Sequence, residues 1–176
     1  MPGIDATLPF RPLRIAVLTV SDTRTRDTDK SGDTLQQRIE ADGHVVAARD
    51  LVRDDQRLIR DRAEAWIADS TIDAVITTGG TGLTGRDVTV EALRPLFDKE
   101  VDGFSVMFHR VSFESVGLST LQSRACAGLS RGTLLVLLPG SPGAVKDAWD
   151  HILRYQLDSR YRPCNFVELM PRLMER

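Results

Sequence analysis

The 176 residues suffice for one domain with a real hydrophobic core, and 41% hydrophobic with 27% charged residues is an ordinary globular composition. A net charge of −2 gives no reason to expect a nucleic-acid partner. The apolar runs around Ile15–Val20 and Leu134–Leu138 are far too short to span a bilayer. Met1-Pro2-Gly3-Ile4-Asp5 carries no basic and apolar leader pattern, so a cytoplasmic location is expected. Cys126 and Cys164 share no metal-like spacing and read as free thiols. His44, His109 and His151 lie far apart in the chain, which argues against a structural zinc.

Pro2, Gly3, Pro9 and Pro12 predict an irregular, mobile tail over residues 1–12, ahead of a single domain over 13–166. Arg14–Val20 is a β-rich run closed by polar residues, the profile of a buried parallel strand. A helix is expected from about Ser31, with Leu35 and Ile39 one turn apart and Gly43 as its stop. His44–Leu51 reads as the second strand. Ile59, Ala63, Trp66 and Ile67 then form an amphipathic stripe, and Ile72–Thr78 is the third strand. Helices are predicted over Val88–Phe97 and about Phe104–Val116, followed by a strand at Leu134–Leu138. A last long helix carries Val145, Ala148, Trp149, Ile152 and Leu153, and residues 167–176 read as a C-terminal tail. The alternation predicts a three-layer αβα fold on a mainly parallel sheet.

In such a sheet, ligands bind beyond the carboxyl ends of the strands. The segments that follow the strands are polar, acidic or glycine-rich: Ser21-Asp22, Asp54-Asp55, Gly79-Gly80-Thr81-Gly82 with Arg86-Asp87, and Pro139-Gly-Ser-Pro-Gly143. They should gather on one edge. Gly80–Gly85 formally satisfies G-x-G-x-x-G, but it follows the third strand and leads into helical sequence, so it does not fit a dinucleotide fingerprint. No Gly-Lys-Ser/Thr follows to make a Walker loop. The glycines would instead let backbone N–H groups approach an anion near the helix start at Val88, with hydroxyls from Thr77, Thr78 and Thr81. Ser141 reads as an N-cap and Pro142 as the first helical residue. Asp54, Asp55 and Asp87 are the candidate charge chemistry: carboxylates beside a phosphate call for a divalent cation such as Mg²⁺, with helix capping as the alternative role for Asp55. Asp29-Lys30-Ser31-Gly32 offers a lysine for phosphate or a plain solvated loop, and Arg53, Arg57, Arg60 and Arg62 read as a solvated helix face.

Taken together, Thr77-Thr-Gly-Gly-Thr-Gly82, Arg86-Asp87-Val88-Thr89 and Pro139-Gly-Ser-Pro142 resemble the MoaB/MogA family of molybdenum cofactor biosynthesis, from about Arg14 to Phe166. Val20-Ser21-Asp22 belongs to the same pattern, and Leu121-Gln-Ser-Arg124 and Arg162-Pro-Cys-Asn-Phe166 are similar to the MoaB branch in particular. The resemblance implies a homotrimer or homohexamer, working beside other cofactor-assembly proteins. It also implies Mg²⁺- and ATP-dependent adenylylation of molybdopterin with release of pyrophosphate. By motif, Asp54 and Asp87 take the catalytic and metal-organising positions. Ser21, Asp22, Thr78, Gly79, Gly80, Thr81, Gly82, Arg86, Gly140, Ser141 and Pro142 take the nucleotide- and pterin-binding ones. The alternative is a non-catalytic molybdopterin-binding scaffold. Some MoaB-branch proteins lack the Arg-Asp-Val-Thr run, so Asp87 in this chain favours the enzyme. Val90 stands where that run often has proline, a small loss of rigidity at the helix start.

Overall fold

The computed structural model describes residues 1–175. Strands β1 (Gly3–Ile4), β2 (Arg14–Val20), β3 (Val45–Val52), β4 (Ala74–Thr78), β5 (Lys99–Glu100), β6 (Cys126–Ser130), β7 (Thr133–Leu138) and β8 (Tyr161–Arg162) alternate with helices. The helices are α1 (Lys30–Ala41), α2 (Gln56–Ile67), α3 (Thr89–Leu93), α4 (Asp102–Val116), α5 (Pro142–Ala148), α6 (Arg154–Gln156) and α7 (Phe166–Leu169). The main sheet runs β3-β2-β4-β7-β6-β5; its β3-β2-β4-β7 half is parallel, and β6 is antiparallel to both its neighbours.

The period-2 alternation of the central strands divides the core. Ile15, Val17, Ile76, Leu134 and Val136 face the layer that contains Leu35 and Ile39 of α1, Phe108 of α4 and Trp149. Ala16, Leu18, Val75, Leu135 and Leu137 face Ile59, Ala63 and Trp66 of α2 and Leu93 of α3. Side chains on successive strand residues point to opposite faces, so these continuous apolar runs are buried on both sides. The predicted helix after Leu138 is interrupted: a π-turn over Trp149–Leu153 separates α5 from α6, yet Trp149, Ile152 and Leu153 are buried as expected.

Three differences from the sequence reading have physical causes. Gly3–Ile4, expected to be irregular, forms a strand with β8, and Ser159 ties Arg11 and Pro9 to the body through its hydroxyl. The stretch beyond 166, read as a tail, holds a short helix that buries Val167. Strands β5 and β6 lie outside the strands the sequence predicts. Cys126–Ser130 carries little β-branched signal, and its Gly128 is required because a Cβ there would run into the ring of Phe97. The β6–β7 turn, Arg131-Gly132, has φ of +49° and +89°, a hairpin geometry that usually advertises itself with Asn or Asp at the first position.

His44 closes one end of the sheet. Its Nδ1 accepts the Leu13 N–H at 3.1 Å, which fixes a neutral ring between Phe10 and Trp149. Burial pushes its pKa below the ordinary histidine value, against the pull of Asp42, Asp158 and Asp73. A histidine kept neutral in the fold but free to protonate when unfolded makes stability rise with pH, from the lowered folded value up to about 6.5. Denaturant midpoints measured across that window should show this slope, and His44→Gln should flatten it.

Candidate functional site

The fold reverses direction between β2 and β4: β2 passes through α1 to β3 on one side, while β3 crosses back through α2 to β4 on the other. A crevice opens at such a point, beyond the carboxyl ends of the strands. It measures about 500 Å³ here. Ser21 and Asp22 line it after β2, Asp54 after β3, and Gly140 after β7. Thr78, Gly79, Gly80, Thr81, Gly82 and Asp87 line it from the β4 side. Asp54 and Asp87, distant in sequence, therefore face one cleft.

The glycine turn is built for close approach. Gly79 has φ +107°, and a Cβ there would collide with the carbonyl of Val20, so the β4 end lies directly on the β2 end. At Gly80, with φ +66°, a Cβ would meet Thr89 and Asp54. Thr89 fastens the turn: its N–H donates to Gly80 O at 3.0 Å and its hydroxyl to Gly79 O at 2.8 Å.

Three carboxylates converge, and their surroundings differ. Asp22 accepts from Arg86 Nε at 2.8 Å and from the Asp54 N–H at 3.3 Å, and the Arg86 hydrogen bond holds its carboxyl below the usual range. Asp54 has no such partner; burial, then the neighbouring charges of Asp22 and Asp87, push its pKa up. For Asp87, burial acts upward but is outweighed by the Thr84 hydroxyl and N–H at 2.5 and 2.9 Å, the Gly82 N–H and Arg124, so it stays low. Among the described residues, no group of three His, Cys, Asp or Glu is arranged to hold a metal ion.

The other sequence-predicted residues are engaged in different ways. Arg86 is engaged with Asp22. Ser141 caps α5, its hydroxyl accepting the Ala144 N–H at 3.1 Å, with Pro142 as the first helical residue; it lines a separate pocket of about 330 Å³ that shares Ser119, Ser123 and Pro139 with the cleft. Thr78 donates its hydroxyl to Pro139 O, and Thr77 is fully buried away from the cleft. Asp55 caps α2 through the N–H groups of Arg57 and Leu58. Lys30 begins α1 in solvent and does not line the cleft.

The model of the family described as "Probable molybdopterin binding domain" matches residues 16–159. The chain belongs to the MoaB/MogA family. It is 48% identical over 157 residues to "Molybdenum cofactor biosynthesis protein B" of Escherichia coli (strain K12), covering 89% of this chain and 92% of that one. The protein of the same name from Bacillus subtilis (strain 168) is 43% identical over 142 residues, covering 80% and 84%. A solved structure, "tungsten cofactor synthesizing protein MoaB from Pyrococcus furiosus", superposes with TM-score 0.72 at 37% identity, covering 81% of this chain and 91% of that one.

Against this MoaB/MogA frame, sequence reasoning missed a whole wall of the cleft. Ser119, Gln122 and Ser123 come from a 3-10 segment, Gly117–Gln122, and its end. Arg24 and Thr19 also line the site. The 3-10 segment has neither helical nor alternating periodicity, so only its likeness to the family pattern at Leu121–Arg124 marked it.

Proposed function

We propose that this chain acts in molybdenum cofactor biosynthesis as a Mg²⁺- and ATP-dependent adenylyltransferase acting on molybdopterin. The observation that carries the reading is the meeting of Asp54, Asp87 and the Gly79–Gly82 turn in one cleft. A terminal phosphate oxygen of molybdopterin forms a bond to the α-phosphorus of ATP; the bond from that phosphorus to the bridging oxygen breaks, and pyrophosphate leaves. Asp54 and Asp87 are the side chains that would hold Mg²⁺, which would supply charge neutralisation for the nucleotide phosphates and offset the burial and neighbouring carboxylate charge that raise the Asp54 pKa. The glycine turn lets backbone N–H groups reach the phosphates, and positioning with charge neutralisation is most of what this class of transfer requires. The adjoining pocket at Ser141 offers room for the second substrate.

Self-association into three or six copies belongs to the same reading, supported by exposed Phe113, Leu118 and Leu121 along the end of α4 and the segment after it. No described helix is long and apolar enough to cross a membrane. Incubation with molybdopterin, ATP and Mg²⁺ should release pyrophosphate and form adenylyl-molybdopterin. Tight pterin binding without pyrophosphate release overturns the enzymatic reading in favour of a binding scaffold.

A further inference from the structure

The loop between β4 and α3 has little burial to hold it. Leu83 is 67% exposed, and the internal bonds of the loop are local: Asp87 N to Thr84 O, and Thr84 to the Asp87 carboxylate. A segment with so few apolar contacts opens easily unless polar ties fix it. Thr89 fixes only its first residues, Gly79 and Gly80. From outside, Asp22 takes the Arg86 side chain, and one residue, Arg124, takes the backbone of the rest. Arg124 donates from Nε to Gly82 O at 2.8 Å and from Nη2 to Asp87 O at 3.0 Å, and its own N–H donates to Thr81 O at 3.0 Å. The guanidinium also pairs with Glu91 of α3. Both ends of the loop and the helix that follows it thus converge on a single rigid fork, a geometry lysine cannot reproduce. Because the carbonyl and the next N–H of a trans peptide point to opposite sides, drawing the Thr81 and Gly82 carbonyls toward Arg124 turns the Gly82 and Leu83 N–H groups away from it.

We propose that Arg124 is a positioning residue: by gripping the carbonyls of Thr81, Gly82 and Asp87 it holds the loop and Asp87 in the form that receives nucleotide phosphates. The inference rests on the adenylyl-transfer reading for its consequence in catalysis, but not for its effect on the loop. It is tested with Arg124→Ala and Arg124→Lys by amide hydrogen exchange and by turnover with Mg-ATP and molybdopterin. In Arg124→Ala, exchange over residues 81–88 should rise about tenfold or more while the amides of β2, β4 and β7 keep their protection. Turnover should fall about 100-fold, the usual consequence of a misplaced reactive geometry. Free guanidinium at millimolar concentration should restore part of both, and Arg124→Lys should fall between. Unchanged loop exchange in Arg124→Ala, or a rise spread over the whole sheet, overturns the proposal. Loop-confined exchange in a protein whose unmodified form releases no pyrophosphate sustains the positioning role and defeats the reaction assignment alone.

Discussion

Asp87→Asn should lower adenylyl transfer by about 10³-fold or more while leaving the fold intact, because it removes one charge and almost no volume. The Asp87 side chain accepts from both the N–H and the hydroxyl of Thr84, and an asparagine oxygen can keep the backbone bond, so the turn persists. What disappears is a negative charge facing Asp54 across the cleft. On the proposed mechanism that charge orients Mg²⁺ and with it the phosphate to be attacked, an interaction with no substitute nearby: Asp22 is engaged by Arg86, and Glu91 by Arg124. Pyrophosphate release at saturating ATP is the measurement, with the melting temperature as control. An unchanged rate would remove Asp87 from the catalytic machinery.

The largest expected loss of stability lies just behind the cleft. Asp29 is 1% exposed and accepts from Thr19 Oγ1 at 2.6 Å, from Arg49 Nη2 at 2.9 Å and from the Gly32 N–H at 2.9 Å, the last as N-cap of α1. Arg49 is itself only 6% exposed, and its Nε has no partner. Asp29→Ala therefore strips a buried guanidinium of its buried counter-ion, leaving it to half-exposed Asp33 and to Gln36. Breaking a buried pair from one side costs about 3–5 kcal/mol. Urea denaturation should show a loss in that range, and a loss below about 1 kcal/mol would mean that Asp33 compensates fully. The pH dependence has a definite sign. Burial works to raise the Asp29 pKa, but the bonds from Thr19, Arg49 and Gly32 prevail and hold it below the usual carboxylate value. Its contribution is then fully present above about pH 3.9 and is lost as pH falls through the lower folded value, so variant and unmodified protein should converge in acid.

These two residues illustrate what could be read without coordinates. The sequence marks Asp87 by its place beside a glycine turn after a strand and by the Arg86-Asp87-Val88-Thr89 run, with a solvated loop aspartate as the alternative. Asp29 reads in the sequence only as the start of a lysine-bearing loop. Nothing in Asp29-Lys30-Ser31-Gly32 reveals that Arg49, on a different strand, reaches it inside the protein. The same limit applies to Arg86, grouped with the ligand-binding residues and found paired with Asp22. It applies to Ser141 too, whose capping role was legible locally while its place in an adjoining pocket was not.

The chain by itself determined its strand–helix alternation, the burial of Ile15–Val20, Ala74–Thr78 and Leu134–Leu138, and the gathering of the acidic and glycine-bearing turns at one edge. Each follows from local periodicity combined with a general rule for parallel sheets. Only the tertiary structure decided the antiparallel strands β5 and β6, the wall from Ser119 to Ser123, and the partners of Arg49, Arg86 and Arg124. Those depend on contacts between residues far apart in sequence, where a hydrogen bond to a carbonyl or carboxylate leaves no periodic trace, and so no local pattern can announce them.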